Sequence, residues 1–522
     1  MTIRAVAGSV PENSSHFATT IFSNVAANLA RAAAVSLVTL LLPAYLTHHL
    51  SVAMYAAWVL ILQLGAYVSY LDLGIQTGVS KFVAEYDALG DHAGAGRHAS
   101  AGFALMMMAG TLGLGLTCLL AWQVPRLFSA MPANLYHEVR VGLLLVGSSL
   151  SFSLVCAVYS AVFLGLQRYW IPTTVTIVNR ASFVAVVIAV VALHGSLASM
   201  GLAVAVVNVT TGLLQVVAWW KKASHVPLSI GLVELRVLKS VGRFCSLQSI
   251  WTIGMLCVTG LDITIVGHYD YGQTAYYAIA TLPTNFMLLI VSSMLGPLMP
   301  ASSAISTQVS PGEMGDFLAR ITRYSTVILL LTGLPLIVYG FPILQLWVGA
   351  AYATHTLLYL QILIAANIIR NLCAPYATMI SATGQQGAAV ATAVCEALVN
   401  LGSSIYLASR YGAIGVALGT LIGSFVSVTL HFAITMHFTR WTLAISRLRL
   451  FRRGMLHPAV IAVPSLLLVL LWMANRAVIL DPALVFVWCS STLLIAWFGT
   501  LGKDERMDVR NALGRWRMLM AR

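Results

Sequence analysis

Fourteen long apolar stretches take up most of this 522-residue chain. They cover approximately residues 20–46, 53–79, 100–122, 141–165, 172–193, 198–220, 243–267, 276–304, 324–347, 357–381, 387–409, 413–438, 457–474 and 480–500. Each is long enough to cross a bilayer core of about 30 Å at a helical rise of about 1.5 Å per residue. Only 9% of the residues are charged, so a large soluble domain is excluded. The sequence therefore predicts an all-α integral membrane protein with about fourteen transmembrane helices.

The basic residues are distributed unevenly between the two sides of these stretches. If the N-terminus is cytosolic, only four of the 29 Lys and Arg residues fall outside: Arg126, Arg140, Arg410 and Arg476. This bias is what the positive-inside rule requires, so both termini are predicted to be cytosolic. Topology and attraction to lipid head groups account for the net charge of +13, and binding of nucleic acid is not expected.

Two pairs of segments indicate an internal repeat. FLGLQRYWIPTTVTIVNR followed by HGSLASMG is echoed by ISATGQQGAAVATAVCEALVN followed by RYGAIGVALG, and LDLGIQTG is echoed by MLGPLMP. The copies are six stretches apart, which predicts two pseudo-symmetric six-helix halves in the same orientation. The expected parts are residues 1–220, residues 221–456, and residues 457–522 with two extra helices and a basic tail. Parallel repeats are typical of transporters, whose client binds at the repeat interface.

Several segments carry a further likeness: SNVAANLARAAAVSLVTLLLPAYLTHHL, YLDLGIQTGVSKFVAEYDALGD, TGLDITIVGHYDYGQTAYYAIA and PILQLWVGAAYA, together with the glycine-anchored repeats. In these, roughly over residues 18–440, the chain resembles the polysaccharide-unit flippases (the Wzx type) of the multidrug/oligosaccharidyl-lipid/polysaccharide (MOP) exporter superfamily. The extra helices resemble those of lipid II flippases (the MurJ type), in which they form a groove for the lipid tail. Simple packing is the other interpretation of residues 457–500.

The resemblance implies a function and a location. Such proteins are V-shaped bundles that move an undecaprenyl-pyrophosphate-linked oligosaccharide from the cytosolic to the periplasmic leaflet by alternating access. They lie in the bacterial cytoplasmic (inner) membrane, in contact with its lipids, and serve O-antigen or exopolysaccharide biosynthesis beside a polymerase and chain-length machinery. The resemblance leaves the carried glycan open. No cofactor is expected.

Three arginines lie inside the stretches: Arg31, Arg180 and Arg370. A charge at bilayer depth usually faces a bundle interior or a wet cavity. Arginine offers planar bidentate donors to phosphate, so these residues and Asn28 are predicted to line a central cavity and bind the pyrophosphate or an acidic sugar. The alternative is internal ion pairing. Glu396 is expected at the depth of Arg180, so that a pair between these two is as probable as a role in coupling.

Two aspartates are candidates for ion or proton coupling. Asp72 falls in the cytosolic third of its stretch and Asp262 in the outer third of its own. A helix cap near the DLG bend is the favoured interpretation of Asp72, and a gate or interface contact that of Asp262. Gly415, Gly419 and Gly423 form a double GxxxG motif, which is typical of close helix packing.

Other function classes remain as alternatives. One is a lipid II flippase of the MurJ type. Another is an ion-coupled multidrug exporter of the MATE type, which would require an acidic cavity for cationic drugs. A membrane glycosyltransferase would require catalytic carboxylates on a long external loop, which the sequence lacks, and an inert homologue could act as a scaffold. The seven cysteines include no CxxC pair, and no nucleotide-binding motif or nucleophile–base pair is present. We therefore expect no metal site, no catalytic residue and no enzymatic activity.

Overall fold

The computed structural model describes residues 40–296, 298–306, 309–440, 443–474, 481–502 and 506. Within them the chain forms helices and turns and no strand. Thirteen helices are long and apolar enough to cross a membrane: α1 (Val52–Ala88), α2 (His92–Leu127), α3 (Leu135–Gly165), α4 (Trp170–Ala192), α5 (Leu197–Lys222), α6 (Gln248–Tyr269), α7 (Tyr271–Leu295), α8 (Pro311–Val338), α9 (Ala350–Ala382), α10 (Gly387–Tyr411), α11 (Ala413–Phe438), α12 (Arg447–Leu471) and α13 (Pro482–Thr500). The all-α transmembrane prediction is confirmed.

Each of these thirteen helices overlaps one stretch predicted from the sequence. The remaining predicted stretch, 20–46, lies mostly outside the described residues, and residues 40–49 are helical. Two short helices, Leu298–Ser306 and Gly340–Val348, connect longer ones.

Local sequence explains where several helices begin. At α8, the Ser310 hydroxyl accepts a hydrogen bond from the Glu313 amide, and the Glu313 carboxylate accepts one from the Ser310 amide, with Pro311 between them. This capping box satisfies amide groups that have no partner inside the helix. The hydroxyl of Ser196 caps α5 in the same way, and the carboxylate of Asp481 caps α13.

Helix α1 is interrupted at the DLG segment. A 3₁₀ turn, Tyr67–Asp72, is followed by Leu73 and Gly74 in left-handed conformations, with φ of +46° and +82°. The helix then resumes as Ile75–Ala88. Glycine adopts this conformation at little cost, so the bend is placed by the sequence itself.

Four helices contain a π-helical turn among the described residues. These turns are Leu256–Gly260 in α6, His431–Thr435 in α11, Phe451–Leu456 in α12 and Ile495–Thr500 in α13. Such turns are rare and are often found at functional sites.

The helices group into two compact units. Unit 1 contains residues 40–49, 64–122 and 137–246, and unit 2 contains residues 50–63, 123–136 and the described chain from 247 onward. Residues 221–246 thus group with unit 1, and α12 and α13 with unit 2. The internal repeat and the two six-helix halves remain predictions.

Each unit has its own apolar core. In unit 1, residues of α1 such as Val68, Val79 and Val83 belong to a buried cluster with residues of α2 and α3. In unit 2, residues of α8 pack with residues of α12 and α13; Trp488 donates a hydrogen bond to the Ser465 hydroxyl at 3.0 Å. The two C-terminal helices are therefore packed onto unit 2.

Close packing of α10 against α11 depends on the glycine motif. A Cβ atom on Gly419 would lie 2.3 Å from the Ser404 hydroxyl, and one on Gly415 would lie 2.2 Å from the backbone of Leu407. One on Gly423 would lie 2.8 Å from Asn400. The GxxxG prediction of close helix packing is confirmed.

Candidate functional site

Asp262 is a buried carboxylate inside unit 2. It lies two residues after the end of the π turn of α6 and begins the helical segment Asp262–Tyr269. Asp262 is only 5% exposed. The hydroxyls of Tyr277 on α7 and Thr420 on α11 each donate to its Oδ2 at 3.3 Å. Its Oδ1 is buried and has no hydrogen-bond partner within the described chain, so the site has an unused acceptor.

Arg370 and Glu396 form an ion pair between α9 and α10. The distance from Arg370 Nε to Glu396 Oε1 is 2.7 Å, and the side chains are 13% and 12% exposed. From the sequence, Glu396 was expected at the depth of Arg180, with Arg370 lacking an obvious partner. In the structure, Glu396 instead forms its ion pair with Arg370. The two residues are 26 apart in sequence, on consecutive helices that are joined by the turn at Gly384.

The ion pair and Asp262 belong to one electrostatic group. The charge of Arg370 acts on both Asp262 and Tyr277, and α10 packs against the π turn and the end of α6. We call Asp262, Tyr277, Thr420, Arg370 and Glu396 the buried polar cluster. It holds two carboxylates and one arginine, so its formal charge is negative when all three are ionised.

Buried amides lie on the same helices. Asn400 is fully buried one turn after Glu396, and neither polar atom of its side chain has a hydrogen-bond partner in the described residues. Asn367 is buried one turn before Arg370, with its Oδ1 also unpartnered there. Buried polar groups without partners cost free energy, which a bound proton, cation or water would reduce.

Arg180 has a different environment in unit 1. It lies on α4 about 15 Å from one end of the helix and about 18 Å from the other, and its side chain is exposed. Thr176 and Thr173 precede it on the same face at helical spacing. Neither an ion pair nor a side-chain hydrogen bond engages Arg180 within the described residues. Its neighbour Asn179 instead donates to Asn208 and Thr211 of α5, at 3.3 and 2.8 Å.

Asp72 accepts a backbone hydrogen bond at the start of the helical segment Ile75–Ala88, whose N-cap residue is Gly74. Its half-buried carboxylate accepts a hydrogen bond from the Gln76 amide at 3.0 Å, at the start of the segment that follows the DLG bend. The role of Asp72 stays a prediction. Arg31 and Asn28 lie outside the described residues, so their predicted roles stay predictions.

One group of metal-ligating residue types lies near a turn of unit 1. Single donor atoms of Asp87, His92 and His225 lie within 4.8 Å of one another. An ion-pair distance of 3.6 Å between His92 Nδ1 and Asp87 Oδ1, and an edge contact between the two imidazole rings, account for the group without a metal ion. The prediction that the chain has no metal site stays a prediction.

Sequence reasoning missed Tyr277 and Thr420, which bind Asp262. The sequence did contain an indication for Thr420. This residue directly follows Gly419, so its side chain lies beside a closely packed helix face. For Asp262, the sequence indicated a position near the interface, whereas burial by α7 and α11 sets its environment.

The sequence has no match among protein-family models or among curated proteins. Solved structures do resemble it. A MATE-family multidrug transporter of the MOP superfamily, in an inward-facing conformation, matches 76% of this chain and 93% of its own at 14% identity and a TM-score of 0.64. The lipid II flippase MurJ, in an inward closed conformation, matches 88% of this chain and 97% of its own at 12% identity and a TM-score of 0.66.

A third solved structure also resembles this chain. It is a MOP-superfamily transporter from Pyrococcus furiosus, described as having a binding pocket of reversed polarity, and it matches 80% of this chain and 96% of its own. Its identity to this chain is 14% and its TM-score 0.52. At such identities the likeness establishes the fold, and this chain has the fold of the MOP-superfamily transporters.

Proposed function

We propose that this protein is a flippase that moves an undecaprenyl-pyrophosphate-linked oligosaccharide from the cytosolic to the periplasmic leaflet by alternating access. On this proposal it is not an enzyme. It resides in the bacterial inner membrane with both termini in the cytosol, and it hands its client to a polysaccharide polymerase and chain-length machinery.

The exposed arginine of α4 is the observation that carries the proposal. Arg180 is too deep in its helix to reach the membrane surface, and acyl chains would not solvate its charge. An exposed guanidinium at this depth is stabilised by water or by an anionic client. Arginine binds phosphate oxygens with paired, charge-assisted hydrogen bonds, so a pyrophosphate head group fits it.

Arg370 was predicted to bind the client, and we now assign it to coupling instead. Its charge is already compensated by Glu396, so it is a weaker candidate for binding the client. We assign the buried polar cluster to coupling: its excess carboxylate, Asp262, accepts a proton or a metal cation, and its occupancy changes the contacts among α6, α7 and α11.

The two C-terminal helices favour a lipid-linked client over a soluble drug. The MurJ structure, described as a lipid II flippase, matches 88% of this chain, whereas the inward-facing MATE structure matches 76%. A larger matched share is expected if the match extends into α12 and α13. A client that is anchored in the membrane needs a helix surface that its lipid tail can contact during transfer.

A flipping assay with purified full-length protein tests the proposal. The protein is reconstituted into vesicles with a fluorescent undecaprenyl-pyrophosphate oligosaccharide, and transfer is followed by quenching of the outer leaflet with dithionite. A charge-assisted hydrogen bond is worth about 1.5–3 kcal/mol, so Arg180→Gln is expected to slow transfer roughly 10-fold or more. Arg180→Lys keeps the charge and retains part of the rate.

A matched control comes from Arg410, an exposed arginine at the end of α10 that lies over the Tyr406 ring. Arg410→Gln is expected to transfer the lipid at the wild-type rate. If wild-type vesicles move no lipid and instead expel a cationic dye in an ion gradient, the protein is a MATE-type exporter. Equal rates for Arg180→Gln and Arg410→Gln would remove Arg180 from the mechanism.

A further inference from the structure

A cavity lined, among the described residues, by three arginines and a histidine lies at the start of α12. Arg323 of α8 and Arg452, Arg453 and His457 of α12 surround a volume of about 460 Å³. We call these four residues the basic pocket. Its volume is within the range of about 300–1,000 Å³ that is typical of small-molecule sites.

A smaller cavity adjoins the basic pocket. It has a volume of about 210 Å³ and shares Arg452 and Arg453 with the larger one, adding Ser446, Leu448 and Arg449. Two cavities that share a pair of arginines form a branched, positively charged depression. A branched anion, such as a phosphate that bears several substituents, has a shape that can fill it.

Contacts with α8 hold the backbone of Arg452 and Arg453 in place. Arg452 and Arg453 belong to the π turn Phe451–Leu456, whose Gly454 carbonyl accepts a hydrogen bond from the Thr326 hydroxyl of α8 at 2.9 Å. Gly454 also packs closely against Thr322, since a Cβ atom there would lie 3.0 Å from the threonine methyl group. The turn is thus fixed to α8, and Arg452 and Arg453 project from it as an exposed pair.

Two arginines of the pocket, Arg452 and Arg453, carry charge that no ion pair among the described residues compensates. Arg449 reaches Asp316 at 3.6 Å, in an exposed ion pair. Within the described chain, Arg452 and Arg453 have no carboxylate at ion-pair distance. Adjacent cations around one cavity repel each other, and a bound anion would relieve that repulsion.

Large apolar side chains surround this charge and are exposed. Leu448 is 73% exposed and Leu456 is 54% exposed, and Val460 and Val463 continue the exposed apolar face of α12. Charge and apolar surface therefore adjoin at the end of a membrane-spanning helix. A molecule that matches both is an amphiphile with an anionic head group.

We propose that the basic pocket binds the phosphate head group of an anionic membrane lipid, with the acyl chains along the apolar face of α12. Basic pockets between transmembrane helices bind such head groups, whereas scattered basic residues serve topology alone. The site is separate from the buried polar cluster. The inference does not depend on the proposed transport function, since any protein with this surface would bind the lipid.

The test measures lipid-dependent thermal stabilisation of the purified full-length protein in neutral detergent. The probes are phosphatidylglycerol, phosphatidylcholine and inorganic pyrophosphate. A ligand that binds the folded state raises the unfolding midpoint in proportion to the logarithm of its concentration over its dissociation constant. Phosphatidylglycerol is expected to raise the midpoint more than phosphatidylcholine does, and Arg452→Gln/Arg453→Gln is expected to weaken its apparent affinity at least 10-fold.

Two further variants make the result specific. Lys221→Gln/Lys222→Gln removes the same charge from an exposed basic pair at the end of α5, outside the basic pocket, and is expected to keep the wild-type response. Arg452→Lys/Arg453→Lys keeps the charge and is expected to retain part of the stabilisation by phosphatidylglycerol. Equal midpoints without lipid show that the variants are folded.

Three outcomes would overturn the inference. Phosphatidylglycerol and phosphatidylcholine could stabilise the protein equally. The two glutamine pairs could lose the response to the same extent, which would mean a diffuse electrostatic effect. Inorganic pyrophosphate could displace phosphatidylglycerol at equal concentration, which would make a soluble phosphate the occupant.

Discussion

The ion pair between Arg370 and Glu396 has two ends that are not equivalent. Asp262 adds a second carboxylate on which the charge of Arg370 acts. Replacing Arg370 with methionine therefore leaves two buried carboxylates without a cation. Replacing Glu396 with glutamine leaves Arg370 with one carboxylate still in its field. We expect Arg370→Met to destabilise the protein more than Glu396→Gln does.

The size of both effects follows from the burial of the pair. The side chains are 13% and 12% exposed, and the two atoms are 2.7 Å apart. Removing one partner of a buried pair costs about 3–5 kcal/mol in soluble proteins, whereas polar pairs between membrane helices average about 0.6 kcal/mol and reach about 1.7 kcal/mol. We expect about 3 kcal/mol for Arg370→Met, at the lower limit of the first range, and about 1 kcal/mol for Glu396→Gln, within the second.

The assay is equilibrium unfolding in mixed micelles of a mild detergent and dodecyl sulfate, followed by circular dichroism. Adding Glu396→Gln to Arg370→Met is expected to recover about 1 kcal/mol, because it removes one of the orphaned carboxylates. Arg410→Met, at the exposed end of α10, serves as control and is expected to cost less than about 1 kcal/mol. Equal losses for the two single variants, or no recovery in the double variant, would refute the assignment of Asp262 and Glu396 to one electrostatic group.

Three further predictions concern packing, a hydrogen bond to the backbone and interhelical hydrogen bonds. Gly419→Ala is expected to cost about 1–3 kcal/mol, because the added methyl group would meet the Ser404 hydroxyl at 2.3 Å and its amide nitrogen at 2.5 Å. The control Gly402→Ala has open space around the added methyl group and is expected to be neutral. Equal unfolding midpoints for the two variants would contradict the packing argument. Asp72→Ala is expected to cost about 1 kcal/mol through loss of the hydrogen bond from the Gln76 amide, with Asp72→Asn retaining most of the stability in the same unfolding assay. Asn208→Ala is expected to cost about 0.6 kcal/mol and at most about 1.7 kcal/mol, since it breaks hydrogen bonds between α3, α4 and α5; a larger loss would indicate a role beyond pairing.

The sequence predicted the architecture well because bilayer thickness and apolar length determine it. The thirteen described helices overlap their predicted stretches, and the glycine motif of α11 lies where two helices approach closely. These features depend on composition and local spacing, which a single sequence contains. The lipid substrate, the membrane of residence and the partners remain part of the proposal.

The partners of the intramembrane charges could not be derived in the same way. Which side chains meet depends on the rotation of each helix about its axis, and apolar stretches constrain that rotation weakly. Glu396 was therefore expected at the depth of Arg180, although it meets Arg370. Asp262 was assigned by its distance from the end of its stretch, whereas α7 and α11 bury it from the sides.

The four π turns of unit 2 bear on how the length of this chain can change. Elsewhere in a helix, deleting one residue rotates everything that follows by about 100° and turns its apolar face away from its neighbours. At a π turn, the deletion converts a wide turn to an ordinary one and leaves the following face in place. Residues 256–260, 431–435, 451–456 and 495–500 are thus the positions where single-residue deletions would be best tolerated within these helices.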